Sequence, residues 1–338
     1  MSSPPFLAAF EPPRWGASRR EAIAAASKPP SSPFAVHGAA PLDPAKFRDP
    51  LLTAKGEPRA QVVLNRLETL WINTGTLCNL ACPSCYIESS PANDALVYLS
   101  LAEAEVYFDE ARALGTREIG FTGGEPFMNR DMPAMIRSAL DRGFELLILT
   151  NAMRPMRRFE ADLLTLTAAE RQRIVFRVSL DHHSRALHEA ERGAGSWDKA
   201  LDGLSWLAAN GFRVAVAGRR FGAAAEAGYA GLFAALGIAP DHLVLFPAMD
   251  EAADVPEISE GCWAITGVSP ASLMCASSRM VVKAKGAERP HVVACTLLPY
   301  DPQFALGERL ADAAAAAVPL NHPHCARFCV LGGASCSG

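Results

Sequence analysis

The sequence predicts an α/β protein built on a parallel sheet, and three observations carry that reading. From about residue 66 onward, short apolar, β-branched runs alternate with longer segments of helical periodicity, giving six βα units. The runs are continuously apolar, as in strands covered by helices. Glycines and N-capping residues punctuate the helical segments. Six such units can form a doubly wound sheet or an incomplete barrel, and both place the active site at the C-terminal ends of the strands.

The first 65 residues, with "EPPR", "KPPSSP" and "APLDP", hold too much proline for a helix or inner strand and read as an extended, partly disordered lead-in without chemistry. The strands expected next are 68–74, 117–123, 144–150, 174–180, 212–218 and 242–247. Helices are expected in "SLAEAEVYFDEARALG", "DMPAMIRSALDRG", "EADLLTLTAAERQR", "SWDKALDGLSWLAANG" and an Ala-rich stretch over 223–236. Ser100 and Ser196 suit N-caps, and Gly115, Gly143 and Gly211 stand where glycines follow a helix end.

Composition narrows the function. Half of the residues are apolar, a fifth are charged, and the net charge is −4 with no basic stripe, which argues against free nucleic acid as a partner. No apolar run reaches the ~18–20 residues that cross a bilayer, and no signal peptide is evident, so the chain reads as cytoplasmic with no membrane partner. Nine cysteines, three of them tightly grouped and six after residue 260, do not resemble a disulfide framework in a reducing compartment. Ligation of a metal or cluster is the leading use.

The tight group is "TLCNLACPSCY" after the first strand, with Cys78, Cys82 and Cys85 in a CxxxCxxC spacing. Three thiolates on one loop can hold a single cubic cluster and leave its fourth iron without a protein ligand, a vacancy that suits a chelating amino acid. The competing reading is a zinc knuckle, but structural zinc is closed and four-coordinate, and no fourth cysteine follows until Cys262. "TGGEP" ends the second strand: Gly123 and Gly124 permit close backbone approach, and Glu125 offers a carboxylate to an ammonium. Alone, that stretch would read as a glycine-rich turn. "TNA" ends the third strand and "SLD" the fourth, so all four motifs meet at one rim.

CNLACPSC followed some 40 residues later by TGGEP, within six βα units, resembles the radical S-adenosylmethionine superfamily over roughly residues 66–248. The resemblance implies a partial (β/α)6 TIM-like barrel with a small cysteine-rich C-terminal domain, divided as an extension over 1–65, a barrel over 66–249 and an iron-sulfur domain over 250–338. It implies that Cys78, Cys82 and Cys85 are catalytic and hold a reducing 4Fe-4S cluster, and that Gly123, Gly124 and Glu125 receive the amino group of S-adenosyl-L-methionine. Ser84 stands where many members have an aromatic residue, which implies altered adenine packing. "VSLDHHSRALHEAERGAGSWDKALDGL" is similar to a stretch of the peptide-modifying and sulfatase-maturing members. By position it makes Ser179 and Arg192 contacts of the ribose and the methionine carboxylate, with Asn151 also lining the pocket. Asp181 faces the same rim and is a candidate for substrate contact, whereas His182 and His183 read more simply as a solvated loop pair.

Beyond residue 250 the βα rhythm stops. "CASSRMVVKAKGAERPHVVACTLLPY" reads as a hairpin with a cysteine outside each end. The order is similar to SPASM and twitch domains, which carry auxiliary clusters. Six cysteines are one short of a full SPASM pattern, so one auxiliary 4Fe-4S cluster is expected, with Cys275, Cys295, Cys329 and Cys336 preferred as ligands and Cys325 a close substitute. A zinc module is the competing reading there, and Cys262 is left open. The family reading implies reductive cleavage of S-adenosylmethionine to a 5′-deoxyadenosyl radical that removes hydrogen from a peptide or small-molecule substrate, with an electron donor such as flavodoxin or ferredoxin. The alternative is a non-catalytic iron-sulfur protein for electron transfer or iron sensing, which would not need the glycine loop, Ser179 or Arg192.

Overall fold

The computed structural model describes residues 32–36, 38–247, 250 and 252–332. Among the described residues ten strands carry the fold. They are β1 (Gln61–Val62), β2 (Thr69–Asn73), β3 (Glu118–Thr122), β4 (Glu145–Thr150), β5 (Ile174–Ser179), β6 (Arg213–Arg220), β7 (Leu243–Pro247), β8 (Ser278–Val282), β9 (His291–Val293) and β10 (Val318–Pro319). The main sheet has eight strands in the order β7-β6-β5-β4-β3-β2-β8-β9. Strands β2 to β7 pair in parallel along the chain, as expected of consecutive βα units.

The hairpin of β8 and β9 is antiparallel, with Cys275 and Cys295 just outside its ends. It does not stand apart from the barrel. β8 pairs in parallel with β2, Thr69 opposite Ser278 and Trp71 opposite Met280, so the tail continues the barrel sheet.

The two faces of the sheet bury separate cores. Leu70, Ile72, Phe121, Ile148, Phe176 and Val216 pack under the helices. On the opposite face Trp71, Leu147, Met280, Val282 and Val293 cluster, joining strands that are not neighbours and marking the curl of the sheet. Gly120 lies opposite Trp71, and a β-carbon there would sit 2.4 Å from the indole, so only glycine leaves room for that ring.

The principal helices are α1 (Leu101–Ala113), α2 (Met132–Asp141), α3 (Arg185–Arg192), α4 (Ser196–Ala209), α5 (Ala225–Leu236) and α6 (Leu310–Ala315). Ser100 caps α1 in a capping box with Glu103, as its sequence suggests. Ser196 is instead the first residue of α4, because Gly195 takes a left-handed conformation at φ 73° and occupies the cap. The stretch 160–173 is not one helix. Thr167 forms its own capping box with Glu170 and restarts the chain, leaving Glu160–Leu164 and Ala168–Arg171 as short turns.

Of the 1–65 extension, the described part is a strap tied to the tail. Pro41 bridges Ala253, Arg59 bridges Ser259, and β1 pairs with β10. Arg59 anchors it from a fully buried position, donating to Glu257 at 2.5 Å and to the Asp49 and Leu52 carbonyls. Among the described residues no helix is long and apolar enough to cross a membrane.

Candidate cluster and cofactor cavity

The loop after β2 brings Cys78, Cys82 and Cys85 to the wall of one cavity of about 160 Å³. Gly123 and Gly124 after β3, Asn151 after β4, and Ser179, Asp181 and Arg192 from β5 and α3 line the same cavity. The strand-end rule therefore places together the residues that the sequence singles out for this rim, Glu125 excepted.

Local bonds shape the thiol loop. The Cys78 amide donates to the Ser90 carbonyl at 3.1 Å, and the amides of Leu80 and Ser89 point at the sulfurs of Cys78 and Cys85, both at 3.4 Å. N–H groups aimed at sulfur favour thiolate charge. Burial opposes it: Cys78 is pushed up to about 12 by burial and then by Glu125, and Cys82 to about 11 by burial against the pull of Arg192. Burial also raises Cys85. Three protein thiols held neutral on one wall would lose their protons to solvent as metal binds between them, which is the chemistry of a cluster-binding donor set. Among the described residues, no three His, Cys, Asp or Glu side chains converge as a single-ion site.

The glycines of "TGGEP" serve a contact that the sequence did not reveal. A β-carbon on Gly123 would lie 2.5 Å from the Gly75 carbonyl oxygen, and one on Gly124 2.2 Å from that of Leu77. The gap is closed by hydrogen bonds instead, Gly124 N to Gly75 O at 2.8 Å and Glu125 N to Leu77 O at 3.1 Å. The glycine loop is thus stitched to the start of the cysteine loop.

Glu125 itself is buried behind the glycines and is not among the lining residues. Its Oε1 accepts from Thr150 Oγ1 at 2.8 Å and its Oε2 from the Asn151 amide at 2.8 Å. Burial lifts its pKa to about 7 despite these donors. Asn151 in turn donates through Nδ2 to Asn79 Oδ1 at 2.9 Å, inside the cysteine loop.

Arg192 donates through Nε to Asp181 Oδ2 at 2.6 Å. Burial works against the guanidinium charge, but Asp181 and the neighbouring thiols outweigh it and raise its pKa. Burial likewise lifts Asp181, yet Arg192 and Arg219 overcome it and hold the carboxyl below the ordinary range. Asp181 therefore orients arginines from the wall of the cavity, the rim on which the sequence suggested substrate contact. His182 and His183 stack with ring centroids 4.0 Å apart, and His182 packs on Phe34, so they are packed and not a solvated pair.

Two residues of the site escaped the sequence reading. Glu191 Oε1 accepts from both the amide and the hydroxyl of Ser84, at 3.0 and 2.6 Å, and Arg219 Nη2 donates to the same hydroxyl at 2.6 Å. Ser32 of the strap donates to the other Glu191 oxygen at 2.5 Å. The position before Cys85 is thus a polar clamp. Arg219 could have been found by applying the strand-end rule to β6; Glu191 carried only its adjacency to Arg192.

The tail holds a second group. Cys275, Cys295, Cys325 and Cys329 line one small cavity of about 20 Å³ together with His324 and Phe304. Cys325 and Cys329 lie four residues apart on a wide helical turn, Cys325–Val330. Burial raises Cys275 to about 11 and Cys325 well above the ordinary thiol value. Among the described residues Cys325 is thus a fourth cysteine of this lining, and Cys336, the preferred ligand, lies outside the described residues. Cys262 is not part of that lining, its sulfur resting 3.6 Å from Ser259 Oγ. Tyr300 joins the two regions, donating to the Ile87 carbonyl beside Cys85 at 2.8 Å.

Comparison with known proteins agrees with this geometry. The family model described as "Radical SAM superfamily" matches residues 72–222. An S-adenosylmethionine-dependent nucleotide dehydratase of Selenomonas ruminantium is 37% identical over 75 residues, covering 22% of this chain and 26% of that protein. The antilisterial bacteriocin subtilosin biosynthesis protein AlbA of Bacillus subtilis is 30% identical over 145 residues, covering 41% of this chain and 30% of AlbA. The chain thus spans less than a third of the length of either relative. Streptococcus suis SuiB, in a crystal structure bound to the precursor peptide SuiA, superposes with a TM-score of 0.58 at 13% identity, over 75% of this chain and 66% of SuiB, a likeness of fold. The motif-bearing loops gathered on one rim thus lie within residues 72–222, the segment that the radical SAM superfamily model matches.

Proposed function

We propose that this protein reductively cleaves S-adenosylmethionine at a cluster held by Cys78, Cys82 and Cys85, and uses the product to remove hydrogen from a peptide substrate. The observation that carries the reading is the sharing of one cavity by the three thiols, the glycine loop, Ser179 and Arg192. The cluster and S-adenosylmethionine would together supply the 5′-deoxyadenosyl radical.

The chain's own residues supply orientation. Arg192, fixed by Asp181, keeps further N–H groups for a carboxylate, the pairing that a planar guanidinium favours. The Ser179 hydroxyl lies on the same wall for a ribose or carboxylate oxygen. An ammonium at the glycine loop would meet backbone carbonyls first, with the Glu125 carboxylate behind them as the nearest charge. Glu191 and Arg219, through Ser84, fix the loop segment that presents Cys82 and Cys85.

The tail reading is an auxiliary 4Fe-4S cluster held by Cys275, Cys295, Cys325 and Cys329, in a domain over 250–338 that follows a barrel over 66–249. An electron donor such as flavodoxin or ferredoxin would reduce the first cluster. A peptide is favoured as substrate because AlbA is named for bacteriocin biosynthesis and SuiB was crystallised with a precursor peptide. The test is anaerobic reconstitution with iron and sulfide, addition of dithionite and S-adenosylmethionine, and chromatography for 5′-deoxyadenosine. Candidate precursor peptides are then incubated with the enzyme and read by mass change. A reconstituted protein that forms no 5′-deoxyadenosine overturns the cleavage reading; cleavage with mass change only in a small molecule, such as a nucleotide, overturns the peptide reading.

A further inference from the structure

Arg279 lies in β8, four residues after Cys275, and is fully buried. Its Nε donates to the Ala313 carbonyl at 3.0 Å, Nη1 to those of Cys275 and Ser278 at 2.6 and 2.8 Å, and Nη2 to that of Ala316 at 3.2 Å. Every one of these partners is a neutral carbonyl. The fully buried Arg59, by contrast, meets the Glu257 carboxylate, and Arg192 meets Asp181.

A buried cation without an anion is unfavourable, because neutral dipoles replace only part of its hydration. The groups able to supply negative charge to it are Cys275, whose own carbonyl accepts from Nη1, and Cys295. Both thiols line the four-cysteine cavity. Once deprotonated around a cluster they carry net negative charge into the same dry interior, where a fixed cation acts strongly.

We propose that Arg279 is the built-in counter-charge of the four-cysteine site and raises the reduction potential of the cluster held there, an inference that rests on the auxiliary-cluster reading above. Cluster potentials follow local charge and solvent exposure, and added electron density is favoured beside a buried cation. The competing role is mechanical. The Ala313 and Ala316 carbonyls belong to the C-terminal end of α6, which any suitable donor could cap.

Charge and capping are separable in a full-length background with Cys78, Cys82 and Cys85 changed to Ala, where only the tail group remains. Arg279→Lys keeps the charge and loses the fork; Arg279→Gln keeps an amide donor and loses the charge. Each protein is purified anaerobically, analysed for iron and sulfide, and titrated with EPR detection. The lysine variant is expected to titrate close to its parent. In the glutamine variant the ratio of reduced to oxidised cluster at a given solution potential should fall about tenfold, equivalent to ~59 mV for one electron. Iron retained with lysine but lost with glutamine supports the same conclusion. Equal potentials, or equal loss of iron, in the two variants assigns Arg279 to capping and overturns the proposal alone. Stoichiometric zinc in the parent background overturns the cluster reading and this inference with it.

Discussion

The amide of Asn151, at the end of β4, holds the Glu125 carboxylate, carried on the loop after β3, at 2.8 Å. Two strand ends are thus pinned to each other directly beneath the glycine loop. The carboxylate has few exits from this position, and its charge is felt by Cys78.

Glu125 gives a pH signature. Its folded pKa is raised from 4.5 to about 7 by burial. Below 4.5 both folded and unfolded chains hold the proton; between 4.5 and 7 only the folded one does, so this group's contribution to stability declines as pH rises through that window. Glu125→Gln should therefore gain stability relative to wild type by roughly 3 kcal/mol between about pH 4.5 and pH 8. Denaturant unfolding of the metal-free proteins at the two pH values checks this, and a pH-independent difference contradicts it.

The same carboxylate should matter for the cofactor in the opposite sense. Glu125→Ala removes the nearest charge behind the glycine loop and the acceptor of the Thr150 hydroxyl and the Asn151 amide, so S-adenosylmethionine affinity should fall, by less than the loss of a direct charge-assisted hydrogen bond. Iron content should remain near wild type. Calorimetric titration of the reconstituted protein decides the matter.

Asp181→Asn leaves two arginines without their carboxylate. Breaking a buried pair by removing one partner costs about 3–5 kcal/mol, and Arg192 loses its bond at 2.6 Å. A lower urea midpoint with unchanged m-value is expected, together with weaker S-adenosylmethionine binding. An unchanged midpoint would mean that solvent or another group compensates Arg192.

Changing Cys78, Cys82 and Cys85 together to Ala should remove one 4Fe-4S cluster, about four irons of about eight, and all 5′-deoxyadenosine formation while the protein stays folded. Continued 5′-deoxyadenosine formation in that variant is the result that would refute the cluster assignment.

Within the tail, Cys325→Ala should abolish the remaining cluster and Cys336→Ala should leave it, because Cys325 is the fourth cysteine lining the small cavity among the described residues. Iron and sulfide analysis in the triple-alanine background separates the two. Retention of iron in the first variant and loss in the second would restore Cys336 as a ligand.

The local parts of this molecule were legible in its sequence because they follow local rules. The expected run 68–74 is the strand Thr69–Asn73, and 144–150 is Glu145–Thr150. The break between 160 and 173 was also legible, since Thr167 and Glu170 spell a capping box, and helical periodicity concealed it. Contacts across the fold were not. Nothing near Gly124 announces that the Leu77 carbonyl fills its β-carbon position, and nothing near Ser84 announces Glu191. Motif spacing gathers residues at a rim, but which of them touch depends on curl and register that distant segments impose.

The pairing of β2 with β8 has a consequence for how the protein can be divided. Residues 72–222 carry the recognisable motifs, yet the wall beside Trp71 is supplied by Met280, Val282 and Val293. A chain cut after residue 249 would expose the backbone edge of β2 from Thr69 to Ile72 and uncover the indole, an apolar open edge of the kind that recruits other strands. It would also release the Tyr300 bond beside Cys85. The motif-bearing half of this chain is therefore not a detachable part: its inner lining is complete only when residues 278–293 have been synthesised.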